Sequence, residues 1–135
     1  GCTNLTVTTT SDDNSCNSLR EAIAVAHYNS AHSITGTTVE ISSSVGGVVK
    51  LDGANGGVTL GLGITLQRQD GGCGLSGPDT YIQAGLNSTG DGITLNKASL
   101  IGIWVSGFNG RQIVNYGGTG KNTLNCVKST RTNPA

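Results

Sequence analysis

Ser18-Leu19-Arg20-Glu21-Ala22-Ile23-Ala24-Val25-Ala26-His27 is the one convincing helix signal in a chain that otherwise reads as short strands and turns. Ser18 stands at an N-cap position and Glu21, three residues later, completes a capping box. Leu19, Ile23 and Ala26 recur on one face, so the helix has a single apolar stripe to bury. Downstream, short apolar runs separated by glycine, asparagine and serine continue almost to the end. The expectation is that this helix plugs the open end of a stack of β-coils.

Composition points the same way. A chain of 135 residues is one domain with room for a core, and its 22 glycines, 12% charged residues and 4% aromatics fit neither a helical bundle nor a disordered tail. Eight basic residues balance eight acidic ones, which disfavours nucleic acid or an anionic membrane surface as partner. No apolar run approaches the roughly 20 residues of a membrane span. The chain begins at Gly1 without a methionine, as a processed or excised product does.

Cys2, Cys16, Cys73 and Cys126 are even in number, widely and unequally spaced, and contain no Cys-x-x-Cys pair. That pattern argues for disulfides and against zinc, with four buried reduced thiols as the alternative. Of three connectivities, Cys2 with Cys16 and Cys73 with Cys126 is favoured, because the first pair ties the opening strand to the helix. A disulfide from one of these cysteines to another chain is the further option.

In chain order, Leu5-Thr6-Val7-Thr8-Thr9-Thr10 alternates as a strand with threonine outward, and Ser11 to Ser15 ends it. After the polar connection from Tyr28 to Gly36, nine short runs follow: Val39–Ile41, Val48–Leu51, Val58–Leu60, Ile64–Leu66, Tyr81–Gln83, Ile93–Leu95, Ile101–Val105, Gln112–Val114 and Thr123–Val127. Gly46-Gly47, Gly56-Gly57, Gly71-Gly72 and Gly117-Gly118 serve as corners between them. Strands this short are unstable as isolated hairpins, but they are stabilised when each pairs in parallel with its counterpart one coil above and below. The expected fold is therefore all-β: a short right-handed parallel β-helix, or solenoid, with one N-terminal capping α-helix. Residues 1–36 form the strand and cap, 37–127 about three coils, and 128–135 a polar tail. An antiparallel β-sandwich is the competing architecture.

The threonine-rich strand, the aspartate-containing turn, Cys16 and then Ser18-Leu19-Arg20-Glu21-Ala22-Ile23 resemble the start of secreted bacterial repeat proteins named for a Cys-Ser-Leu-Arg-Glu-Ala stretch. The remainder, including Leu100 to Phe108, is similar to right-handed parallel β-helices of the pectate-lyase-like type. Asn17, between Cys16 and Ser18, departs from the motif. The resemblance implies a surface or extracellular protein, often adhesive, and no catalytic set.

Chemistry must be sought separately. A lyase of this architecture needs clustered carboxylates for calcium and a base, whereas Asp52, Asp70, Asp79 and Asp91 are scattered through glycine-rich turns. Arg68 beside Gln69 and Asp70 reads as a solvated corner. His27 and His32, without a neighbouring cysteine or acid, read as surface residues rather than metal ligands. Gly117 to Asn122 has the glycine content of a phosphate loop, but neither its spacing nor a following helix. No catalytic residue, metal or cofactor is assigned.

If Ile101, Ile103 and Val105 point inward, alternation turns Trp104 outward, where a sugar ring, a second subunit or a loop of the chain would cover it. Tyr81 and Tyr116 are candidates for the same surface. Because Thr123 to Val127 is followed only by polar residues, the last coil is expected to be uncapped, leaving Leu124 and Val127 at an open end. Either the chain is the leading segment of a longer β-helix or another copy covers that end, with the strand holding Leu5 and Val7 as donor.

The favoured function is an extracellular structural protein, a self-assembling filament subunit or the N-terminal part of a surface adhesin. Its partners would be further copies, head to tail. A carbohydrate-active module binding surface glycans is the alternative, and ice binding lacks the required Thr-x-Thr ladders beyond Thr6, Thr8 and Thr10. Asn4-Leu5-Thr6 and Asn87-Ser88-Thr89 are glycosylation sequons.

Overall fold

A computed structural model describes every residue except 46–47, 53–54, 71–72, 75–76, 86–89, 117–119 and 134–135. The helix α1 spans Leu19–Ala31, one turn beyond the expected end at His27. Ser18 is its N-cap, accepting from the Glu21 amide at 3.3 Å. The capping box is not closed, because the Ser18 amide donates to Ser15 O at 3.1 Å instead of to the Glu21 carboxylate. Glu21 still favours the helix by standing in its first turn, near the positive end of the dipole. Leu19, Ala22, Ile23, Val25 and Ala26 are buried along the stripe.

Among the described residues the remaining regular structure is strand. In chain order these are β1 (Thr6–Val7), β2 (Thr38–Ile41), β3 (Val48–Leu51), β4 (Val58–Gly61), β5 (Thr65–Arg68), β6 (Cys73–Gly74), β7 (Gly77–Pro78), β8 (Thr80–Ala84), β9 (Ile93–Asn96), β10 (Ser99–Ile101), β11 (Ile103–Ser106), β12 (Ile113–Asn115), β13 (Thr123–Asn125) and β14 (Lys128–Thr130). The first sheet runs β1-β2-β5-β10-β13, the second β3-β8-β11-β14 and the third β4-β9-β12. Every pairing in these three sheets is parallel, and β6–β7 forms a separate antiparallel pair. The chain visits the sheets in rotation: β2, β3, β4, then β5, β8, β9, then β10, β11, β12, and finally β13 and β14. An antiparallel sandwich is thereby ruled out.

The register shows why such short strands hold. Val39, Leu66, Leu100 and Leu124 stand in one line across the first sheet, Val49, Ile82 and Val105 across the second, and Leu60 and Leu95 across the third. All but Leu124 are buried, and they meet in one core that also takes Phe108 and the helix stripe. Each fully buried branched side chain contributes roughly 1.5–3 kcal/mol.

Several expected boundaries move, each for a local reason. The opening strand shrinks to Thr6–Val7 because its next polar groups are engaged elsewhere: the Thr8 amide donates to Asn17 O and Thr10 O accepts from the Lys50 amide. The run Ile101–Val105 is two strands in different sheets, turned at Gly102 with φ +70°. The run Thr123–Val127 keeps only Thr123–Asn125 as strand and turns at Cys126, φ +54°, the position in register with Gly102. The segment 128–135 is not merely a tail, since Lys128–Thr130 is strand β14 on β11. Between β5 and β8, the expected loop carries the β6–β7 pair.

Two disulfides close the structure. Cys2–Cys16 joins the opening segment to the helix entry, and Cys73–Cys126 joins the β6–β7 pair to the Cys126 corner, with Cα–Cα separations of 5.2 and 6.0 Å. Among the described residues no helix is long and apolar enough to cross a membrane.

Candidate functional site

The two ends of the sheet stack are finished differently. At the helix end, side chains of α1 satisfy carbonyls on and beside the outer strand β4. Arg20 donates to Gly56 O at 2.6 Å and Gly57 O at 3.3 Å, the His27 ring lies 2.9 Å from Thr59 O, and Ser30 donates to Leu62 O at 3.0 Å. The same guanidinium grips Asp12 through two bonds of 3.0 and 2.9 Å. Asp12 also accepts from the Asp52 amide at 2.8 Å. Burial pushes the Asp12 carboxyl up, but the hydrogen bonds from Arg20 and the Asp52 amide, with the guanidinium's charge, outweigh it and hold the group below the usual carboxylate range. Arg20 thus ties the loop before the helix, the helix and the third sheet into one knot.

At the opposite end, β12, β13 and β14 are the last strands of their sheets. Leu124 ends the inward line of the first sheet with 47% of its surface exposed, and Val127 and Ile113 are half-buried against the core. Nothing among the described residues lies across this edge as α1 lies across the other. The turn leading into it is held by Asn122, whose side chain accepts from the Ala98 amide at 2.9 Å and donates to Leu95 O at 3.0 Å and Tyr116 O at 3.1 Å. Parallel edges left unpaired are a template for further pairing.

The remaining sequence candidates divide between surfaces. Trp104 faces outward on the second sheet in the line Val48, Tyr81, Trp104, Lys128. Its ring meets the Tyr81 edge at 5.4 Å, lies 4.5 Å from the Lys128 ammonium and donates its N–H to Thr130 Oγ1 at 2.9 Å. The chain's own residues therefore flank the indole on both sides. Tyr116 does not join this group: it follows β12 in the third sheet, exposed. Val7 is fully buried in the core and Leu5 packs against it, while β1 itself is the edge strand of the first sheet, paired with β2. Asn4 is exposed, its amide bonded to Asn17, and Asn87 lies outside the described residues.

Arg68 pairs with Asp70 at 2.9 Å, and Asp91 accepts from the Arg111 amide, which lowers its carboxyl pKa. Among the described residues no group of three His, Cys, Asp or Glu is placed to hold a metal ion. A cleft of about 720 Å³ lies between the loop Thr10 to Asp13 and the ends of β3 and β8. Its charged groups are largely committed, Asp12 to Arg20 and Lys50 to Gln83 at 3.2 Å.

One property of the two ends was not read from the linear sequence. Residues 1–64 hold five acids and two cations, whereas residues 99–135 hold four cations, Arg111, Lys121, Lys128 and Arg131, and no acid. The parallel stacking turns that asymmetry into a first layer with more acids than cations and a last layer with cations only. No family model, curated protein or solved structure matches this chain.

Proposed function

We propose that the protein is an extracellular structural subunit, wound as a short right-handed parallel β-helix capped at one end by α1, which stacks head to tail on further copies through its open end. The observation that carries this reading is the contrast between the ends. Helix side chains satisfy carbonyls on and beside β4 at one, while at the other three parallel sheets end together with Leu124 exposed. A stack of this kind is stable only when both terminal layers are covered. A heterologous contact that does not close into a ring propagates as a filament. Two disulfides support an oxidising, extracellular setting. The resemblance of the helix motif to secreted bacterial repeat proteins supports a surface role.

Glycan binding has weaker support, because the indole of Trp104 is already flanked by Tyr81 and Lys128. The test is sedimentation velocity with negative-stain microscopy on the oxidised chain over a concentration series. Concentration-dependent growth into uniform linear particles, abolished by Leu124→Ser with the fold intact by circular dichroism, is the expected result. A monomer at every concentration overturns the reading.

A further inference from the structure

Two asparagines in the chain are followed by glycine, in Asn55-Gly56 and Asn109-Gly110. In that dipeptide the asparagine side chain is open to attack by the next backbone nitrogen, because glycine puts no side chain in the way. The fold treats the two pairs differently. The Gly110 amide is locked onto Gly90 O at 2.7 Å, and a Cβ at Gly110 would press on Asp91 and Gly90. Asn55 is exposed at the end of a turn in which its own amide donates to Asp52 O at 3.0 Å. The Gly56 amide has no acceptor among the described residues, and the space where a Gly56 Cβ would stand is open. At the same place the Asn55 side chain donates to Asp12 Oδ2 at 3.5 Å, the oxygen that Arg20 and the Asp52 amide also hold. The next two carbonyls, Gly56 O and Gly57 O, accept from Arg20. We infer that Asn55-Gly56 is a site of spontaneous deamidation, and that its product loosens the knot made by Arg20 and Asp12.

The reaction needs only water. The Gly56 nitrogen gives its proton to a solvent base and bonds to Asn55 Cγ; the Cγ–Nδ2 bond breaks, and Nδ2 departs as ammonia with a proton from solvent. Water then opens the five-membered imide. Cleavage of the new bond between Cγ and nitrogen leaves aspartate, whereas cleavage of the original bond from the Asn55 main-chain carbon leaves isoaspartate, whose backbone is longer by one methylene. Both products carry a new negative charge and lose the donor to Asp12, a carboxylate whose side chain is only 2% exposed. Isoaspartate also lengthens the chain just before the carbonyls that Arg20 grips. That segment is tightly seated: a Cβ on Gly57 would overlap the backbone oxygens of Asp91 and Gly92, and the Val58 amide is tied to Gly92 O at 2.9 Å.

Ageing the oxidised chain at mildly alkaline pH and physiological temperature tests this, with the mass gain of about one dalton followed at each asparagine by peptide mapping. The Gly110 amide must open its hydrogen bond before it can attack, so the ratio of Asn55 to Asn109 conversion is expected to be at least about tenfold higher in the folded chain than in the reduced, denatured chain. A smaller excess, or no conversion of Asn55 in the folded chain while the denatured chain converts, overturns the site. Chemical unfolding of the aged chain tests the link to the knot. Its unfolded-to-folded ratio is expected to rise about 5–30-fold over that of fresh chain, while Asn55→Ser, with no amide to lose at that position, keeps its midpoint on ageing. Conversion at Asn55 without a shift in the midpoint, or an equal shift in Asn55→Ser, overturns that link. Both readouts are taken on the single chain and are independent of whether copies stack.

Discussion

Replacing Arg20 by leucine would remove the contact that joins the first loop, the helix and the third sheet. Arg20 keeps 20% of its side chain in water, but Asp12 keeps only 2%, so the substitution strands a buried carboxylate and also removes a donor from Gly56 O and Gly57 O. Breaking a fully buried pair from one side costs about 3–5 kcal/mol. The partial exposure of Arg20 lowers the expectation to about 2–3 kcal/mol, a large part of the 5–15 kcal/mol typical of a domain. Guanidinium chloride unfolding with the disulfides intact measures it. Adding Asp12→Asn to the leucine variant should recover about 1 kcal/mol, because no buried charge is then left unpaired. The sign with pH follows from the lowered Asp12 pKa. A depressed carboxyl contributes stability that is fully present above its unfolded value of about 3.9 and is lost as pH falls through the folded one. The gap between the natural chain and Arg20→Leu should therefore be widest near neutrality and narrow below about pH 4. A deficit under about 1 kcal/mol, or a gap unchanged between pH 7 and 3, would refute the assignment of Arg20 as the organising contact.

Removing the Cys73–Cys126 bond by substituting both residues with serine opens a closure of 53 residues, worth about 4 kcal/mol in the chain-entropy description, and chemical unfolding should show most of that loss. Since Cys126 occupies a left-handed corner, Cys73→Ser with Cys126→Gly should be more stable than the double serine variant by about 0.5–1 kcal/mol. Asn122→Ala removes the partner of the Ala98 amide and should cost about 1–3 kcal/mol, with hydrogen exchange at β13 accelerated before exchange at β5.

What the sequence made legible is what repeats locally. The spacing of Leu19, Ile23 and Ala26 identifies the helix, and the alternation around Leu60, Leu66, Ile82 and Leu95 identifies strands and their inward faces, because burial imposes a period wherever one face meets a core. Where burial stops, so does the signal. Lys128-Ser129-Thr130 forms β14 at the edge of the stack with little beneath it to bury, and its composition carries no alternation. The corners were hidden for another reason: Gly102 and Cys126 turn the chain within apparently continuous runs, and a left-handed residue costs a single position that periodicity does not register. Arg20 was equally opaque as a knot, since its partners lie 8, 36 and 37 residues away and only the fold brings them together.

The charge asymmetry had been in plain view without a meaning. In most folds the order of residues along a chain says little about their order along any axis of the molecule, so acids gathered early and cations gathered late average out. Here the strands of each sheet stack in chain order, β1 to β13 in the first, β3 to β14 in the second and β4 to β12 in the third. Sequence position is thereby position along the stack, and a linear gradient of charge becomes an axial dipole in a molecule whose formal net charge is zero. That zero, read alone, argues only against anionic partners. Resolved along the stack, the same residues place an excess of negative charge in the first layer and only positive charge in the last.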